Sequence, residues 1–214
     1  MGILGKKVTY DIQNELEECR ILAKSNPDYY NSDVACGLKK LANLYKEDNQ
    51  LKEAEKTYRE ALKLYRELAE INSTIFNPYI ACILNDLAII YNDTNRYRDA
   101  EKAYNEALIV YRDLAKSNST VFNLDVATTL DSLAFLYADR GRLDEAERAF
   151  DEALKIYDLK RHGLDYANSI VFAFYCTSKS KYNLDEAKEI LQKYYKQPRA
   201  KQLLEFIEEL HEIA

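Results

Sequence analysis

The residues of this chain that could support catalysis or metal binding are two histidines, four cysteines and several paired carboxylates. A catalytic or metal site needs a set of such groups that converge on one point. His162 lies in the segment RHGLDY and His211 in ELHEIA, and no motif places a Cys, Ser or acidic partner beside either. The cysteines show no CxxC or Cys/His spacing. The sequence therefore predicts a non-enzymatic protein with no metal and no cofactor.

Two acidic pairs, Asp144 with Glu145 and Asp185 with Glu186, have a structural explanation. Each pair opens an apolar stretch with helical spacing. Carboxylates in the first turn of a helix interact favourably with the helix dipole. Acid–base catalysis would need a facing carboxylate that the sequence does not specify. We therefore interpret both pairs as residues that start helices.

The elements that carry these residues repeat with a period of 46 residues. Each copy opens with an Asn, and three copies align without gaps over residues 26–71, 72–117 and 118–163. A period between roughly 20 and 50 residues is typical of proteins built from stacked units. Because each unit buries its apolar face against its neighbours, we expect one continuous stack over residues 1–214.

Each copy contains two stretches of apolar residues with the spacing of an amphipathic helix. In the first stretch of the second copy, the spacing is i, i+3, i+4, i+7, as expected for one helix face, and it comprises Leu84, Leu87, Ala88 and Tyr91. A second stretch follows after a short break in every copy. The pattern therefore predicts a pair of antiparallel helices for each period.

The limits of these helices are predicted from Asn, Pro and Gly. Asn is a favoured N-cap, and Pro78 would suit the first helical position after Asn77. The first helices are accordingly predicted to be capped by Asn31, Asn77 and Asn123. Asn and Gly also tolerate the left-handed conformation that ends a helix. The turns inside the pairs are therefore predicted at Asn49, Asn95 and Gly141.

The ends of the chain depart from the period. Residues 10–25 align with the second half of a copy and are predicted to form a leading half-repeat. Residues 164–197 are predicted to form a degenerate fourth repeat, and residues 198–214 a C-terminal capping helix. The sequence thus predicts an all-α protein of about ten helices.

The pattern L-x-x-L-A-x-x-Y followed by A-x-x-x-[YF]-x-x-A-L resembles the tetratricopeptide repeat. In the first copy the hallmark positions are Leu38, Leu41, Ala42, Tyr45, Ala54, Tyr58 and Ala61. The period of that family is 34 residues, and its Pro at the end of the second helix is absent here. The copies are therefore similar to the elongated repeats of kinesin light chains and bacterial repeat proteins. The resemblance implies a right-handed α-solenoid.

The resemblance also implies a binding surface, because the first helices of that family line a concave groove. The corresponding outward positions are Lys39, Asn43, Lys46, Asn85, Ile89, Asn92, Thr128, Asp131 and Phe135. Asn amides can bond the donors and acceptors of a peptide backbone, and Ile89 and Phe135 would supply apolar anchors. The expected function is a scaffold that binds a peptide or protein segment in this groove. A merely solvated face is the alternative.

Charge and hydropathy restrict the partners. The formal net charge is −6 and no basic run is present, which argues against nucleic acid and anionic membranes as partners. No apolar run approaches a membrane span and no signal-peptide core is present, so we expect a cytoplasmic protein without membrane insertion. Two other functions stay open: homo-oligomerisation through the terminal helices, and regulation by a peptide that changes the curvature of the stack.

Overall fold

The structure is a computed structural model that describes residues 3–177 and 181–213. Within these residues the chain forms ten α-helices and no strand. The helices are α1 (Ile3–Ser25), α2 (Pro27–Glu47), α3 (Leu51–Ile71), α4 (Ser73–Asp93), α5 (Tyr97–Ser117), α6 (Ser119–Asp139), α7 (Leu143–Ile156), α8 (Leu159–Thr177), α9 (Leu184–Lys193) and α10 (Pro198–Ile213). The predicted fold class, an all-α repeat of helix pairs, is confirmed.

Three-residue turns join α2 to α3, α4 to α5 and α6 to α7. The central residue has a positive φ in every case: 58° at Asn49, 59° at Asn95 and 71° at Gly141. Only Gly, and to a lesser extent Asn and Asp, adopt this left-handed conformation at low cost. The three predicted turn positions are therefore confirmed.

The predicted N-caps Asn31, Asn77 and Asn123 are wrong, because each first helix begins earlier. Asn72 precedes α4, and its side chain accepts a hydrogen bond from the Ile75 amide at 3.2 Å. Asn118 precedes α6 in the same way. A single Asn separates α1 from α2, α3 from α4 and α5 from α6, so it ends one helix and begins the next. Pro78 consequently lies inside α4 instead of at its first position.

The elongated second helix is present in two copies and shortened in the third. Helices α3 and α5 each have 21 residues, whereas α7 has 14. Helix α7 ends because Tyr157 adopts an extended backbone with φ −60° and ψ 127°. Helix α8 then begins at Leu159 and is kinked at His162.

The helices divide into two compact units, Met1–Val110 and Tyr111–Ala214. In unit 1, Ala54, Tyr58 and Ala61 of α3 are fully buried, and α3 packs against α2 and α4. In unit 2, the core includes Phe150 of α7 and Ile207 of α10. The apolar side of α10 contacts α8 and α9, and Phe206 on it is partly buried.

Helix α4 is long and apolar enough to cross a membrane, by length and composition alone. The apolar runs of the sequence had predicted no such helix, and that prediction is wrong for α4. However, eight residues of α4 are buried in the structure, among them Ile83 and Ile90. A helix buried on several sides is apolar around much of its circumference. The composition of α4 therefore follows from its central place in unit 1.

Candidate functional site

The first candidate surface is the unit 1 face, formed by the outward side chains of α2 and α4. Lys39, Asn43 and Lys46 lie on successive turns of α2, because residues three and four apart share one side of a helix. Asn85, Ile89 and Asn92 follow the same spacing on α4.

Part of the unit 1 face is held by hydrogen bonds between helices. Lys46 Nζ forms an ion pair with Asp86, and the side chains are 29% and 16% exposed. Asn43 Oδ1 accepts a hydrogen bond from the Tyr58 hydroxyl at 2.5 Å. Burial, together with the charge of Asp86, raises the pKa of Tyr58. Asn43 therefore connects α2 to α3, and Lys46 connects α2 to α4. A ligand would have to compete with these internal contacts to bind either side chain.

Lys39 lies beside an aromatic stack. Its Nζ is 5.6 Å from the ring centre of Tyr79, and Tyr79 stacks on Tyr65 at 4.9 Å with nearly parallel planes. Tyr79 is 40% exposed. Burial raises the pKa of the Cys82 thiol, and the nearby Lys39 ammonium opposes this rise. A flat ring and a cation are thus presented together to solvent.

Sequence reasoning did not select Tyr79, although its spacing could have done so. Tyr79 lies three residues before Cys82, which places the two on the same side of α4. Ile89 is 39% exposed, as an apolar anchor requires. The Asn92 side chain presents less polar surface to a ligand, because its Oδ1 is buried. This oxygen makes no hydrogen bond with any described residue.

The second candidate surface is the unit 2 face, formed by α6, α8 and α10. Two residues predicted for this face are engaged internally. Thr128 Oγ1 donates a hydrogen bond to the Leu124 carbonyl at 2.9 Å. Asp131 is 7% exposed and accepts hydrogen bonds from the Tyr157 hydroxyl at 2.6 Å and from Ser169 Oγ at 2.7 Å. The structure therefore places Asp131 in the interior of unit 2, linking α6 to α8.

Phe135 begins a series of rings on the unit 2 face, which we call the aromatic row. Its ring centre lies 4.9 Å from that of Phe172. Phe172 contacts Phe206 at 6.0 Å, and Phe206 contacts Tyr175 at 5.3 Å. Tyr175 is 56% exposed, and the three Phe rings are partly buried. Sequence reasoning identified only Phe135, because the other rings lie where the period has weakened.

A third kind of surface recurs between successive second helices. In unit 1, a cavity of about 510 Å³ is lined by Leu62, Leu84 and Tyr91. A second cavity of about 380 Å³ is lined by Leu16, Leu38 and Tyr45, the equivalent residues one period earlier. An Arg–Glu pair recurs beside these positions, as Arg20–Glu60, Arg66–Glu106 and, in unit 2, Arg112–Glu152. These features follow from the packing of every repeat and single out no site.

The chemistry-bearing residues do not converge in the part of the chain that the structure describes. The four cysteines are free and lie on α1, α2, α4 and α8. His162 lies at the kink of α8, and its ring contacts Tyr157 at 6.5 Å. No group of three or more His, Cys, Asp or Glu residues is arranged for a metal ion among the described residues. The His211 side chain lies outside them.

A family model described as tetratricopeptide repeat matches residues 33–113 and, one period later, 79–159. Together the two matches cover residues 33–159, which is more than half of the 214 residues. No curated protein matches the chain.

Solved structures of repeat proteins resemble the chain in fold. MamA has 20% sequence identity and a TM-score of 0.54, with 92% of this chain and 99% of MamA covered. A putative kinesin light chain of Podosopora anserina with TPR-like repeats has 14% identity and a TM-score of 0.56, covering 94% of this chain and 91% of that one. The Rap conjugation gene regulator of plasmid pLS20, in complex with the Phr* peptide, has 18% identity and a TM-score of 0.59. The match covers 95% of this chain and 59% of that regulator.

Proposed function

This chain belongs to the tetratricopeptide repeat family, and we propose that it is a non-enzymatic module that binds a peptide or protein segment. The observation that carries the proposal is the pair of partly exposed aromatic surfaces on first helices. Tyr79 with Lys39 forms one on the unit 1 face, and Tyr175 with the aromatic row forms the other. Aromatic side chains on a rigid scaffold are common anchors for protein partners. The pLS20 regulator, which resembles this chain in fold, is in complex with a peptide.

Three of the four cysteines lie where nucleophilic catalysis by a thiolate is disfavoured. Burial raises the pKa of the thiols of Cys19, Cys82 and Cys176. The thiolate is the reactive form of cysteine, so these positions favour the inert thiol. The net charge of −6 supports a protein partner over nucleic acid. We also propose a cytoplasmic location, which imaging of a fluorescent fusion protein would test.

The test is selection of peptides from a random display library on the full chain. The selected peptides are expected to bind less well to a Lys39→Glu, Tyr79→Ala variant or to a Tyr175→Ala variant. Two exposed tyrosines outside the helices that form these faces provide matched controls: Tyr10 on α1, 63% exposed, and Tyr195 between α9 and α10, 57% exposed. Tyr10→Ala and Tyr195→Ala should leave binding unchanged. Equal binding of every selected peptide to all four variants would refute the assignment to these faces.

A second candidate function, homo-oligomerisation, is favoured by the exposed side of α1. Val8 and Leu22 are each 43% exposed, whereas the equivalent residues one period later, Ala54 and Leu68, are 0% and 7% exposed. Exposed apolar surface of this kind often marks an interface. Sedimentation of the wild type and of Leu22→Glu from micromolar to near-millimolar concentration decides this candidate. A monomer throughout the range for the wild type excludes it.

A further inference from the structure

The aromatic row forms a continuous apolar surface across three helices of unit 2. Phe135 is on α6, Phe172 and Tyr175 are on α8, and Phe206 is on α10. The ring contacts between 4.9 and 6.0 Å fix the rings against one another, so little side-chain entropy remains to be lost on binding. Tyr175, the most exposed member, offers both a ring face and a hydroxyl.

Among the residues that the structure describes, the exposed charges one turn from a ring of the aromatic row are acidic. Asp139 is exposed and lies one turn after Phe135 on α6. Burial, and after it the charge of Asp139, raises the pKa of the Cys176 thiol on α8 to about 11. Glu209 is exposed and lies one turn after Phe206 on α10. Asp131 is also one turn from Phe135, but it lies in the interior of unit 2 and adds no charge to this surface.

We propose that the aromatic row binds a basic peptide segment in which a large apolar side chain lies between Lys or Arg residues. The proposal rests on the proposed interaction function and specifies the chemistry of the partner. The apolar side chain packs on Tyr175 and Phe206, since well-packed aromatic contacts dominate binding energy. A guanidinium or ammonium group gains from the ring face and from the carboxylates of Asp139 and Glu209. An acidic segment would be repelled by the same carboxylates.

The unit 1 face has the opposite chemistry, because the cation of Lys39 lies over Tyr79. Acidic segments would therefore be favoured there and disfavoured at the aromatic row. This difference allows the two surfaces to be distinguished by the charge of the probe.

Fluorescence polarisation of the full chain with three labelled synthetic peptides tests the proposal. In the first peptide, Lys and Arg residues flank a Phe-Leu pair; the second replaces them with Asp and Glu; the third keeps them but replaces Phe-Leu with Gly-Ser. We expect the first peptide to bind at least about tenfold more tightly than the other two. Tyr175→Ala should weaken it about 5- to 30-fold, the usual effect of losing an aromatic anchor. Tyr195→Ala is the matched control.

The charge requirement is tested separately with an Asp139→Lys, Glu209→Lys variant. It should bind the first peptide at least about fivefold more weakly, and the difference should shrink in high salt because exposed charges are screened. Asp144→Lys, Glu189→Lys reverses two exposed carboxylates on α7 and α9, makes the same change in net charge and is the matched control. Circular dichroism must show an unchanged helix content for each variant.

Each other outcome overturns the proposal in a recognisable way. Equal binding of the first and third peptides would show that only net charge is recognised. Preferred binding of the acidic peptide, lost in Lys39→Glu, would refute the proposal and leave the interaction function intact. Self-association of the wild type that is lost in Tyr175→Ala would make the row an interface between copies. Binding of no peptide, with no selection from the display library, would refute both proposals.

Discussion

Replacing Asp131 by Asn is expected to make unit 2 more stable at neutral pH. The Asp131 carboxylate is 7% exposed, and burial raises its pKa from 3.8 to about 6. The hydrogen bonds from Tyr157 and Ser169 and the charge of Arg199 act in the opposite direction, while Asp165 adds to the rise. The loss of solvation therefore outweighs the hydrogen bonds that the carboxylate accepts.

The sign of the pH dependence follows from the proton count. Between about pH 4 and pH 6, the folded chain keeps a proton on Asp131 that the unfolded chain has released. Stability is therefore highest below the unfolded pKa and falls as the pH rises through the folded pKa. A shift of roughly two pKa units corresponds to about 3 kcal/mol, which is the upper limit of the effect.

Asn cannot ionise, yet it keeps the internal contacts. Its carbonyl oxygen can accept the Tyr157 hydroxyl, and its amide can donate to Ser169 Oγ. We therefore expect the free energy of unfolding of Asp131→Asn to exceed that of the wild type by about 1–3 kcal/mol at pH 7. Near pH 4 the two free energies should be equal.

Urea unfolding of both proteins from pH 4 to pH 7.5 measures this difference, and hydrogen exchange of the α6 amides assigns it to unit 2. Asp139→Asn changes an exposed carboxylate on the same helix and should leave the pH profile unchanged. A difference between Asp131→Asn and the wild type that does not vary with pH would refute the reasoning. A wild type more stable than the variant at pH 7 would show that the hydrogen bonds favour the charged form.

Three further perturbations test other parts of the structure. Lys46→Met leaves Asp86 partly buried without its ion-pair partner, so the free energy of unfolding should fall by about 1–3 kcal/mol; an unchanged urea midpoint would show that the pair contributes nothing. Asn72→Ala should cost about 1 kcal/mol through loss of the N-cap, and Asn77→Ala should cost less; the reverse order in thermal unfolding would contradict the observed helix start. Cys176, with its pKa raised to about 11, should react with iodoacetamide at pH 8 at least about tenfold more slowly than in the unfolded chain. Equal rates would mean that the thiol is not shielded.

The helix pairs and their turns were predictable because local chemistry determines them. Asn49, Asn95 and Gly141 are residues that the left-handed turn position accepts, and the apolar spacing around them repeats three times. The N-caps were not predictable in the same way. Each copy has two Asn residues five positions apart, such as Asn72 and Asn77, and Asn is a suitable N-cap at either position. Which Asn begins the helix depends on the number of residues between it and the preceding helix. Residue propensity does not determine that number.

The environment of Asp131 was not predictable from the period. Helical register places it on the outward side, as it does Lys39 and Asn85 at equivalent positions. Its burial depends on Tyr157 and Ser169, which reach it because α7 ends early and α8 returns through a kink. These contacts arise in the degenerate part of the chain, where no repeat supplies a template. Three of the four rings of the aromatic row also lie in this degenerate part of the chain, so the repeat pattern did not predict them.

One position of the repeat shows why the period cannot specify the partner. It holds Lys39, Asn85 and Asp131 in successive copies: a cation beside an aromatic stack, an amide, and a buried carboxylate. By contrast, the Leu, Ala and Tyr positions and the Arg–Glu pairs recur in copy after copy. A surface that is the same in each copy cannot distinguish one partner from another, because every copy would bind alike. For the proposed binding function, we therefore expect selectivity to come from side chains that occur once, such as Tyr79 in unit 1 and Tyr175 in unit 2.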